Sequence, residues 1–89
     1  MFLRGVTSKM ARIRCKFVMD GPGPSERIIA ISTKGGGEEE VILPKNLIQN
    51  DTLEVGRVGG TAESVLIELP QESASGSWRL WVDPGTLVA

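Results

Sequence analysis

An all-β fold follows from three features of the chain. Arg12-Ile13-Arg14-Cys15-Lys16-Phe17 alternates strictly between cationic and apolar side chains, which is the period of a strand with one buried face. Residues 27–33 and 63–69 are short runs rich in β-branched side chains, each bounded by glycine or proline. Nowhere does an i, i+3, i+4, i+7 apolar pattern last long enough for a true helix.

In chain order, residues 1–9 read as a loose leader, with Met10-Ala11-Arg12 resembling a second start, and residues 10–89 as one domain. The first strand places Ile13, Cys15 and Phe17 on its apolar face and Arg12, Arg14 and Lys16 on the other. Asp20-Gly21-Pro22-Gly23-Pro24-Ser25 is a turn that no helix or central strand could absorb. The second strand, 27–33, ends at Lys34-Gly35-Gly36-Gly37, and the third, 38–43, runs into Pro44. Its glutamates lie near the first strand's cations if the sheet is antiparallel. Residues 51–55 form a brief strand, and Gly56-Arg57-Val58-Gly59-Gly60 a glycine-rich connection. Residues 63–69 are the clearest strand of the second half, stopped by Pro70, and residues 78–82 are the last.

Two stretches share one logic. In each, an apolar run meets a proline, Pro44 or Pro84, and three and four residues later comes an aliphatic pair, Leu47-Ile48 or Leu87-Val88. A strand feeding one tight helical turn explains both, because proline presets φ there and the pair returns to the buried face. Asp83 stands where an N-cap acceptor belongs. Five to six short strands with one-turn pieces after Pro44 and Pro84 predict a small SH3-like barrel, with an OB-like barrel as the alternative.

Composition bounds the function. A chain of 89 residues buries only roughly 60–65% of its unfolded surface, so its core is thin and leaves no room for a deep cleft between lobes. One cysteine permits no internal disulfide, and no apolar run reaches the ~18 residues of a membrane span, which together predict a cytoplasmic setting. Histidine and tyrosine are absent, removing the commonest general base, metal ligand and proton donor. Cys15 has no base beside it and reads as a core residue. The run Gly35-Gly36-Gly37 lacks the spacing of a phosphate loop and is followed at once by three glutamates, of which only two can share a strand face, too few for an oxygen-ligand metal site. The expectation is a non-catalytic protein with no cofactor and no metal.

Two surfaces remain. Arg79 and Trp81 lie together on the last strand, the make-up of a protein interface, so a protein partner or self-association is the leading expectation. Trp78 and Trp81 face opposite ways, with Trp78 the core residue of the two. Lys9, Arg12, Arg14 and Lys16 form a basic ladder spanning roughly 14 Å over its last three members, which could follow a nucleic-acid backbone. Its stacking aromatics are few, and the acids of the second half offer it an internal partner: net charge is −1, and residues 1–18 carry no acid.

Thr33-Lys34-Gly35, then Val41-Ile42-Leu43-Pro44-Lys45, then Leu53-Glu54-Val55-Gly56-Arg57-Val58 resembles the swapped-hairpin DNA-binding half of AbrB-type regulators and antitoxins. That resemblance covers about 25 residues, and implies an obligate dimer with Lys34 and Lys45 on the DNA backbone. The chain departs from the pattern by Gly36-Gly37-Glu38-Glu39-Glu40, which puts acid where DNA would approach, and by Asn46 in place of an arginine.

Overall fold

The computed structural model describes residues 9–88. The leader expected over residues 1–9 therefore lies outside the described residues, except for Lys9, which opens the first strand. The strands are β1 (Lys9–Arg14), β2 (Lys16–Asp20), β3 (Glu26–Ser32), β4 (Glu38–Pro44), β5 (Ile48–Gln49), β6 (Thr52–Gly60), β7 (Val65–Glu68), β8 (Arg79–Val82) and β9 (Leu87–Val88). One-turn 3₁₀ pieces, Lys45–Leu47 and Pro84–Thr86, follow the two prolines-bearing stretches. The fold is all-β, in two antiparallel sheets: β8-β7-β6-β1-β9 with β5 also on β6, and β2-β3-β4.

The ladders of the described residues do not close into a barrel. The expected first strand is split at Cys15, where the chain leaves one sheet and enters the other, and the Cys15 N–H donates to the carbonyl of Asp51 at 2.9 Å. Strands that switch sheets in this way make the corners of packed sheets. Ile13, Leu53, Val55, Val65, Ile67, Leu80 and Val82 of the larger sheet meet Ile29, Ile31, Val41 and Leu43 of the smaller in a single buried core. One backbone hydrogen bond, joined by side-chain bonds from the same loop, bridges each of the two open margins. Lys34 N–H, in the β3–β4 turn, reaches the carbonyl of Trp81 on β8, and Ala74 N–H, in the β7–β8 loop, reaches that of Glu40 on β4, both at 2.8 Å.

These bridges expose an internal two-fold organisation. β1 with β2, then β3, β4, a 3₁₀ turn and β5 correspond in order to β6, β7, β8, a 3₁₀ turn and β9. Ile13 and Leu53 occupy the same place in their halves and pair with each other across β1 and β6. The bulge between Phe17 and Met19 is repeated between Arg57 and Gly59, so that Val18 answers to Val58. Each closing strand is given to the other half: β5 pairs with β6 through Ile48 and Leu53, and β9 with β1 through Leu87 and Ile13. Each hairpin loop likewise caps the outer strand of the other half.

Several expectations change in detail. Gly56–Gly60 is not a connection but the second part of β6, because its glycines pair with β7 on either side of a bulge at Val58. β5 and β6 are joined by Asn50 and Asp51 at φ 52° and 56°, the left-handed pair of a two-residue hairpin. Asp83 caps nothing with its side chain, which turns instead to Lys34 at 2.8 Å, while its backbone carbonyl accepts the Thr86 hydroxyl. Of the pair after Pro44, Ile48 packs on the core and Leu47 stays exposed. Phe17 is also exposed: it stands on the edge strand beyond the core, with the Arg27 guanidinium 5.5 Å from its ring centroid. Trp78 is not core either. It lies one residue before β8, which among the described residues ends its sheet, and is 51% exposed.

Candidate interaction face and a cationic cleft

Strand alternation puts Leu80 and Val82 of β8 in the core and Arg79 and Trp81 on the outer face. Trp81 stands opposite Leu66 of β7 and is 48% exposed. Arg79 stands opposite Glu68, its Nε 3.4 Å from Oε2, a solvated pair worth at most about 1 kcal/mol. The register then continues onto bare backbone, with Gly59 opposite Leu66 and Gly56 opposite Glu68 and Met10. A shallow cavity of about 210 Å³ sits over Gly56, bounded by Met10, Glu54, Glu68 and Pro70. Trp81, Leu66 and Met10 therefore overlook a floor without side chains.

The corresponding face of the first half carries side chains along its rows, and a cavity of the same size, about 210 Å³, lies there between Arg14, Lys16, Ala30 and Glu38. Ile42 takes the place of Trp81, Ile28 of Leu66 and Met19 of Gly59, with Lys16, Ala30 and Glu40 in the neighbouring row. Lys16 is tied to Glu38 at 3.2 Å.

The basic ladder is divided among three places. Arg12 and Arg14 share the outer face of β1, where Arg12 Nε donates to the Thr52 hydroxyl at 2.8 Å and Arg14 to the Gly85 carbonyl at 2.7 Å. Lys16 lies past the corner, in the other sheet. Lys9 belongs to the opposite face of β1 and stands directly across from Arg57. Of the two lysines singled out by the AbrB resemblance, Lys34 donates to the Asp83 carboxylate and the Glu63 carbonyl, and Lys45 opens the first 3₁₀ turn.

Cys15 packs at the border of the core. Burial pushes its thiol pKa up, Asp51 pushes it further, and Arg12 only partly offsets them. The thiolate is thus disfavoured at neutral pH, the opposite of what a nucleophile needs. Among the described residues no group of three or more His, Cys, Asp or Glu side chains could hold a metal ion, and no helix is long and apolar enough to cross a membrane.

No protein family, curated protein or solved structure matches the chain.

The cleft at Lys9 and Arg57 and the glycine floor were hidden in the sequence by the reading of 56–60 as a connection. Their signal is the second alternation, Leu53, Val55, Arg57, which copies Ile13, Cys15, Phe17.

Proposed function

We propose that the protein is a non-catalytic binding module that contacts another protein chain through the outer face of its second half, centred on Trp81 and framed by Arg79. The observation that carries this reading is the half-exposed Trp81 beside Leu66 on a row that ends in glycine. A large aromatic next to an arginine, over a floor that a partner can approach closely, is the composition of an interface hot spot. The finer shape supported by the one-turn pieces and the loop-bridged margins is an SH3-like barrel, closed by loops instead of ladders, and the setting we assign is cytoplasmic. A nucleic-acid role draws less support, since Arg12 and Arg14 are engaged by the protein itself and Lys16 is covered by Glu38.

Peptides selected for binding to the folded protein test this. They are expected to converge on this face, so that Trp81→Ala weakens them by roughly tenfold or more, while Met19→Ala, on the other half's outer face, changes little. Selected peptides that bind Trp81→Ala as tightly as the parent would overturn the reading.

A further inference from the structure

We infer that the end of the larger sheet holds a binding site for a phosphate group, formed by Lys9, Arg57 and the backbone of Gly59 and Gly60. The site adjoins the Trp81 face, whose Trp81–Leu66 row ends at Gly59, while Lys9 and Arg57 lie on the other side of β1 and β6. Lys9 and Arg57 are directly opposed in the β1–β6 register and both are exposed. Like charges directly opposite on neighbouring strands repel, so such a pair persists at a cost unless an anion lies between them. Among the described residues none does: their ion pairs are Lys16–Glu38, Lys34–Asp83 and Arg79–Glu68. The remaining described cations, Lys45 apart, are also engaged, Arg12 and Arg14 by hydrogen bonds and Arg27 by the Phe17 ring.

The two cations line an open cavity of about 450 Å³ whose other walls are Val58, Gly59 and Gly60. Gly59 carries no side chain to hold a ligand off the backbone, which suits a multi-oxygen anion taken between two charged donors, whereas Gly60 is required by the bulge itself, since a Cβ there would meet the Ser64 and Val65 backbone.

The internal two-fold supplies a control within the molecule. At the opposite end the equivalent of Arg57 is Phe17, and Met19 and Asp20 stand where Gly59 and Gly60 do here. The opposed pair of cations and the bare floor are thus confined to one of the two ends; at the other a single cation, Arg27, lies against the Phe17 ring and opposite Asp20. An acid at the other end, Asp20, stands where an anion would be refused. Three differences in one direction point to a ligand of negative charge.

Pyrophosphate is the probe, followed through the backbone amide signals of Gly59 and Gly60 in the full chain. Those signals are expected to move saturably with millimolar pyrophosphate. Arg57→Ala and Lys9→Ala, both at exposed positions, are each expected to weaken binding roughly tenfold, the loss of one charge-assisted contact. Arg14→Ala, on the other face, serves as the charge control and is expected to leave affinity within about twofold. A nucleoside diphosphate and a short single-stranded oligonucleotide distinguish the source of the phosphate: whichever binds tighter with dependence on Arg57 names it. Unmoved Gly59 and Gly60 signals overturn the inference, as do shifts that Arg57→Ala leaves intact or that Arg14→Ala reduces equally.

Discussion

The two halves of the molecule share a path and differ in what they show to solvent. Half one, from β1 to β5, ends its rows in side chains: Met19 beside Ile28, Lys16 beside Ala30. Half two, from β6 to β9, puts Gly59 and Gly56 in those places and adds Trp81 where half one has Ile42. Inside, the correspondence is close, since Val41 and Leu43 answer to Leu80 and Val82, all of them buried. The lesson is that packing fixes the inward positions in both copies and leaves the outward ones free to diverge. The binding role we propose is placed where they diverged.

The sharpest way to break this comparison is at its centre. Ile13 and Leu53 are each at most 1% exposed and face one another across β1 and β6. Ile13→Ala and Leu53→Ala should each cost about 2–5 kcal/mol in urea unfolding, and by similar amounts. A near-neutral result at one of them would show that the halves are not equivalent in the core.

Gly60 and Asp20 sharpen the contrast at the surface. Gly60 has φ +139°, and a Cβ there would lie 2.5 Å from the Ser64 carbonyl oxygen and 2.9 Å from Val65 Cα, all backbone. Gly60→Ala should therefore destabilise by about 1–3 kcal/mol. Asp20→Ala, at the equivalent exposed position, should stay within about 0.5 kcal/mol. Equal effects would mean that the bulge geometry, and not the glycine, sets the strand.

Much of the fold was legible in the sequence and some of it was not, for physical reasons. Periodicity of two revealed the long strands because one face of each is buried, and the recurring proline followed by an aliphatic pair announced the two 3₁₀ turns. β5 and β9 are two residues each, too short to show a period, and exist because the other half offers them an edge. Gly56, Gly59 and Gly60 read as a loop because strand propensity resides in side chains they lack. The candidate face was half visible. Arg79 and Trp81 follow from β8 alone, but the floor beside them needs the β6–β7 register, and so does the meeting of Lys9 with Arg57. The partner of Lys16 was approachable from charge alone, through the acids of β4.

A smaller effect separates Cys15 from Val55, its counterpart. Because its folded pKa is raised by burial and by Asp51, the native thiol keeps its proton to higher pH than the unfolded chain does. Its contribution to stability is thus present below the ordinary thiol range and is lost as pH rises through the folded value. Alkylation of the folded protein should accordingly be slow at neutral pH and accelerate only in alkali. Asp51→Asn should move that acceleration to lower pH, and an unchanged profile would remove Asp51 from the account.

The central claim, that two corresponding units complete one another by exchanging their last strands, is tested most directly by reversing their order. The Asn50–Asp51 turn joins β5 to β6 where, across the pseudo-two-fold, β9 ends beside β1. A permuted chain that opens at this turn and links the end of β9 to the start of β1 keeps every pairing. Two-dimensional amide spectra of that chain should match the parent at the core positions of all the long strands; an unfolded chain, or a folded one in which Ile13 no longer contacts Leu53, would contradict it.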